Sequence, residues 1–223
     1  MSNGFNPTRR RITLGLGAGF GLSVSSGARV FAGTRSPTPA QIEGPFYPVD
    51  KQADTDLDLT TVGDRSATAV GSVILVRGRI LDVEGAPVQD ALVEIWQANH
   101  YGRYAHPRDP NPQPLDENFQ GWGTVTTAAG GEYGFRTIKP GPYSLEYLGA
   151  SGWRCRHIHF KISRQGYRSL TTQMYFQGDP LLAQDAEIAK LAAAQRPRLI
   201  VAEQTDAATA LPLFQFDVVL AAL

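Results

Sequence analysis

The chain reads as an all-β protein, a β-sandwich with long loops and one short helix. Short β-branched runs recur at intervals of roughly ten to twenty residues with turn residues between them. Only one stretch, PLLAQDAEIAKLAAAQ (180–195), has a helix-forming composition.

Taken in order, GSVILVRGRIL (71–81) and ALVEIWQ (91–97) are β-branched runs separated by DVEGAPVQD, whose Gly85 and Pro87 are turn residues, giving strand, turn, strand. The polar, Pro-rich HPRDPNPQPLDENFQG (106–121) is too long for a tight turn and is a candidate functional loop. GTVTTAAGGEYGFRTI (123–138) reads as a hairpin around Gly130-Gly131. RHIHFKIS (156–163) and SLTTQMYF (169–176) follow as strands, then the helical stretch, and LFQFDVVL (213–220) closes the chain as a strand. Residues 33–70, rich in Thr, Pro, Asp and Gly, read as an extended N-terminal arm ahead of a sandwich domain at 71–223.

Residues 1–32 stand apart. They contain Arg9, Arg10, Arg11 and Arg29 but no acidic residue, and the arginine cluster precedes ITLGLGAGFGLSVSSGA, a weakly apolar run. The run is too short and too rich in small residues for a membrane span, which needs about 20 apolar residues. A twin-arginine signal peptide with cleavage after Val30-Phe31-Ala32 is the expectation, and with it a periplasmic or secreted protein without a stable membrane anchor. Over 223 residues, 21 basic side chains balance 21 acidic ones, which excludes the basic excess of a nucleic-acid binder. Loss of the signal peptide leaves 17 of those basic residues, and a net charge of −4. Cys155 is the one cysteine, so there is no intramolecular disulfide and no cysteine-built metal site.

The chemistry-bearing residues begin with His157-Ile158-His159. In a strand, side chains at i and i+2 share a face, so two imidazoles stand side by side with Ile158 turned away. That pair can bind a metal. The strand continues as Phe160, Lys161, Ile162 and Ser163, without the further His or Glu of a cupin or His-rich site, although His100 or His106 could complete a zinc site. Tyr104 and Tyr143 lie in Gly102-Arg103-Tyr104 and Gly141-Pro142-Tyr143.

The block 76–104, with Gly78, Ile80, Gly85, Val88, Val93-Glu94-Ile95 and Gly102-Arg103-Tyr104, followed by PLDENFQGWG, YGFRTIKPGPY and WRCRHIHF, resembles the intradiol ring-cleavage dioxygenases. The resemblance covers residues 38–220 and is greatest to their protocatechuate 3,4-dioxygenase group, whose EGPFYP segment recurs at 43–48. It implies a Greek-key, transthyretin-like β-sandwich holding one ferric ion, Fe(3+), on Tyr104, Tyr143, His157 and His159. It further implies Arg154 as the active-site arginine, Gln173 as a pocket residue, and Tyr143 as the axial ligand that a catechol displaces. The substrates implied are a small aromatic diol and O2, and the product is a cis,cis-muconate. Phenolate suits a hard trivalent cation, and Arg154 would stabilise negative charge on the ring.

Two features depart from the family. Cys155-Arg156 stands where Pro-Ala is common, and SLEYLGASG (144–152) lacks the aromatic and basic residues of protocatechuate-specific members, leaving the catechol derivative open. A salt bridge from Arg154 to Glu146 is the structural alternative for that arginine. A buried inert thiol is expected for Cys155. A homo-oligomer stays open, as do two other functions: a non-catalytic sandwich acting as a binding module, and a zinc hydrolase that leaves the tyrosines as packing residues.

Overall fold

A computed structural model describes residues 34–49, 54 and 56–223. The expected signal peptide lies outside the described residues.

The architecture is the expected β-sandwich. In the first sheet, β1 (Val73–Asp82) pairs antiparallel with β4 (Glu132–Ile138) on one edge. On its other edge it pairs in parallel with β11 (Pro212–Gln215) and then β12 (Val218–Leu220), and β10 (Glu203–Thr205) lies outside β11. The second sheet has the order β3 (Trp122–Thr126), β2 (Leu92–Trp96), β7 (His157–Ser163), β8 (Leu170–Phe176), β9 (Ile200–Val201). A two-stranded ribbon joins β5 (Tyr143–Ser144) to β6 (Trp153–Arg154).

Three local expectations are corrected. The stretch 123–138 is not a hairpin: β3 joins β2 in one sheet while β4 joins β1 in the other, so the turn at Gly131 carries the chain between layers. The terminal run divides in two at Phe216-Asp217. There the amide of Phe216 donates to Arg77 O at 2.8 Å and Asp217 Oδ1 accepts from Arg79 N at 2.9 Å, so the backbone of β1 stays hydrogen-bonded across the break. The helical stretch is α-helix only over α1 (Ala186–Ala189), because Asp185 has an extended backbone and caps that turn, accepting from the amides of Glu187 and Ile188.

Alternation along β7 decides where the site can lie. Ile158, Phe160 and Ile162 point into the sandwich with Val93 and Ile95 of β2. Phe160 meets Phe216, Tyr133 and Phe135 of the first sheet with ring centroids 5.1, 6.0 and 6.0 Å away. Burying side chains of this size contributes roughly 1.5–3 kcal/mol each. The other parity, His157, His159 and Lys161, faces outward and would be wet if nothing covered it. Residues 34–49 and the loops after β2 are the cover. The segment contains no helix or strand, yet Thr38 exchanges hydrogen bonds with Val219, Gln41 N donates to Thr171 O, and Phe46 is buried. No described helix is long and apolar enough to cross a membrane.

Candidate metal centre

The outer face of the second sheet presents two cross-strand rows. Trp96, His159 and Gln173 are paired across β2, β7 and β8, and His157 is paired with Tyr175. The two imidazoles are nearly perpendicular, at 77°, with Nε2 of His157 and Nε2 of His159 3.2 Å apart. His157 Nδ1 lies 2.7 Å from the carbonyl of Cys155, to which it donates, so its Nε2 lone pair faces inward.

Both tyrosines reach this face on loops. Asn99 Oδ1 accepts from the amides of Tyr101 and Arg103, curling the chain after β2, and Asp109 Oδ2 accepts from Tyr104 N at 2.7 Å. A Cβ on Gly102 would stand 2.3 Å from Pro142 O, and one on Gly141 would stand 2.3 Å from His100 O. The glycines of the GRY and GPY triplets therefore let the two tyrosine loops touch backbone to backbone. As a result Tyr104 Oη lies 3.2 Å from His157 Nε2, and the Tyr104 and Tyr143 rings meet edge to face at 5.8 Å.

Arg154 follows from strand pairing: on β6 it is the cross-strand partner of Tyr143. It is buried, donating from Nε to Asp185 Oδ2 at 2.9 Å and from Nη2 to Gln173 Oε1. Its carboxylate partner is thus Asp185, not Glu146. Gln173 also receives the Tyr175 hydroxyl, at 3.0 Å, and donates from Nε2 to Ile42 O. Arg156 lies at the rim, bonded through its amide and its guanidinium to the buried carboxylate of Asp179. Cys155 is fully buried, and burial raises its thiol far above the reactive range.

Electrostatics set the protonation of the group. Burial, then the charge of Arg154, holds His157 well below the ordinary imidazole value, and burial, His157 and Arg154 do the same for His159. Both imidazoles are thus held neutral, the form able to bind a cation. Burial and the neighbouring Tyr143 raise Tyr104 well above the ordinary phenol value, while Arg154 opposes the rise. Tyr143 is raised by burial, an effect that Arg154 and the adjacent Tyr104 oppose without cancelling. At Arg154, burial opposes the charge but Tyr143 and Asp185 outweigh it and keep the guanidinium protonated.

The donors fit a ferric ion. The two Nε2 atoms, 3.2 Å apart, are close enough to face one cation together, and His159 Nδ1 is buried without a hydrogen-bond partner. Two phenols beside them supply hard anionic oxygens once a cation lowers their pKa. Among the described residues no three His, Cys, Asp or Glu side chains gather as a metal site. His106 instead packs against Phe46 and its Nδ1 accepts from Arg108 N, while His100 lies against Gly71 and Tyr101, so neither completes a zinc site with the histidine pair.

Sequence reasoning did not reach Trp96, Asp109, Tyr175 or Asp185. For Asp185 a signal existed within the helical stretch, an Asp immediately before AEIAKLAAA, the ordinary N-cap pattern. For the others the signal is the register between strands, which single-strand periodicity does not contain.

A family model described as a dioxygenase matches residues 42–222. The chain belongs to the intradiol dioxygenase family. It is 43% identical over 180 residues to the protocatechuate 3,4-dioxygenase beta chain of Burkholderia cepacia, covering 79% of this chain and 76% of that one. It is 37% identical over 173 residues to catechol 1,2-dioxygenase 2 of Acinetobacter lwoffii, covering 71% of this chain but 58% of that enzyme's length. Among solved structures, 3-chlorocatechol 1,2-dioxygenase of Rhodococcus opacus superposes with a TM-score of 0.65 at 26% identity, over 85% of this chain and 74% of that one. In this intradiol dioxygenase the matched span takes in the whole outer-face cluster from Phe46 to Asp185.

Proposed function

We propose that this chain is a non-haem Fe(III) intradiol dioxygenase that inserts both atoms of O2 into a catechol-type diol and releases a cis,cis-muconate-type product. The observation that carries the reading is the convergence of Tyr104, Tyr143, His157 and His159 on one covered face of the sandwich, with the arginine of Arg154 alongside.

Tyr104, Tyr143, His157 and His159 would hold the iron. A ferric ion bound there would supply Lewis-acid activation of the diol toward O2. The protein's part is proton handling, orientation and charge. Tyr143 sits on a two-residue strand beside Arg154, and as the phenolate that a bound ferric ion would produce, its Oη would take a proton from an entering diol hydroxyl. Tyr104 stays in place because Asp109 fixes its backbone and Phe46 packs on its ring with centroids 4.9 Å apart. His157 and His159 keep their orientation through the Cys155 carbonyl and the Trp96 indole. Arg154, held by Asp185 and Gln173, presents fixed positive charge where negative charge develops on the ring. Phe46, Trp96 and Trp122 close one side against water.

The arginine trio Arg9 to Arg11 and the following apolar run support export by the twin-arginine route, cleavage after Ala32, and a periplasmic or secreted enzyme. Replacing Arg9 and Arg10 by Lys should leave the protein unexported in cell fractionation, and export unchanged would exclude this route.

Catalysis is tested by supplying catechol and isotopically labelled dioxygen to the iron-loaded protein. A muconate carrying label in both new carboxyl groups is expected. An extradiol semialdehyde product, or no oxygen uptake with catechol or protocatechuate, contradicts the proposal.

A further inference from the structure

We propose that Asp185 is the positioning residue for Arg154, an inference that rests on the dioxygenase reading of the site. Asp185 is fully buried and lies 31 residues from Arg154 in the chain, at the start of α1. Its two oxygens do different things. Oδ1 accepts from the amides of Glu187 at 2.9 Å and Ile188 at 3.3 Å, which anchors the carboxylate to the helix. Oδ2 accepts from Arg154 Nε and from the amide of Cys155, both at 2.9 Å. All four hydrogen bonds are donated to it, so the buried charge is satisfied on every side.

For Arg154 this geometry is restrictive. Asp185 holds Nε and Gln173 Oε1 holds Nη2, and two bonds on different nitrogens fix both the position and the plane of a guanidinium. Nη1 is the nitrogen these two bonds leave over. The Cys155 bond matters as well: the same oxygen grips the backbone between Arg154 and His157, tying the arginine to the strand end whose carbonyl orients His157. A plain structural ion pair needs only to neutralise charge. Here one carboxylate joins a helix cap, the arginine and the histidine strand, so a shift in Asp185 displaces the arginine relative to the two imidazoles.

The test uses the iron-loaded protein with Asp185→Asn, which keeps an oxygen for the cap, and Asp185→Ser, which keeps the cap and removes the reach to Arg154. The readouts are kcat and KM with catechol, the visible charge-transfer band and the melting temperature. Expected is a fall in kcat of roughly tenfold to a hundredfold with KM changed far less, and an unshifted band, since none of the four iron donors is altered. In an Arg154→Ala background, the Asp185 substitutions should add little further loss of kcat, because the group they position is gone. Three results overturn the proposal: an unchanged kcat in a folded variant, an equal loss of kcat with and without Arg154, or failure of both variants to fold and take up iron, which assigns Asp185 to folding alone. Absence of diol cleavage by the unmodified protein would instead refute the dioxygenase reading itself.

Discussion

The indole of Trp96 lies flat on the imidazole of His159, with ring centroids 4.7 Å apart and planes within 7°. The two residues are direct cross-strand partners of β2 and β7, so the stack is a product of sheet register. It also replaces something: His157 is oriented by a hydrogen bond from Nδ1, whereas His159 Nδ1 has no partner and the ring is held by its face.

Trp96→Leu should therefore loosen His159 and weaken iron retention by roughly tenfold, the scale of losing an orienting partner of a metal ligand. Trp96→Phe, which restores a flat ring, should recover most of it. Iron content after dialysis against a chelator measures both, and equal retention in all three proteins would show the stack to be without effect.

Phe46 links the N-terminal segment to the site, packing on Tyr104 and on His106. Its truncation to Ala should cost about 3 kcal/mol in urea unfolding, the low end for a buried phenylalanine. A loss well under about 1 kcal/mol would mean that the segment covers the centre without bracing it.

Burial keeps both phenols protonated in the iron-free protein, and Tyr104 more strongly so. Loading ferric iron must then expel about two protons, and apparent affinity should rise with pH. Calorimetric titration in buffers of different ionisation enthalpy counts the protons. Tyr143→Phe should release about one fewer, and no proton release at all would exclude tyrosinate ligation.

The histidines impose a dependence of the same sign on the iron-free fold. Their folded pKa values are depressed, so below about 6.5 the unfolded chain binds protons that the folded chain refuses. The stability present above that pH is lost as pH falls toward the depressed values. Urea midpoints should drop between about pH 7.5 and about pH 5.5, and drop less in a His157→Gln, His159→Gln double variant. An identical drop in the two proteins would place the titration elsewhere.

Much of the site was legible in the sequence, for reasons that differ by residue. His157 and His159 on one face with Ile158 opposite follow from the two-residue period of a strand, and β7 obeys it. Tyr104 and Tyr143, 39 positions apart, become neighbours through the contact of Gly102 with Pro142 and of Gly141 with His100, which no periodicity encodes; only the resemblance to a family pointed to them. Sheet membership was hidden in the same way. The run 123–138 has the composition of a hairpin, but β3 and β4 find partners in different layers, since pairing is decided by which strand covers which face. The helix was overestimated because Asp185, inside the helical composition, prefers to cap and to hold Arg154.

The central claim is that two tyrosines and two histidines form one ferric centre, and the visible spectrum of the iron-loaded protein tests it most directly. A tyrosinate-to-iron charge-transfer band is expected, changing when catechol is added without oxygen, largely lost in Tyr104→Phe and partly kept in Tyr143→Phe. A colourless protein carrying stoichiometric zinc, or a spectrum that neither substitution alters, would contradict it.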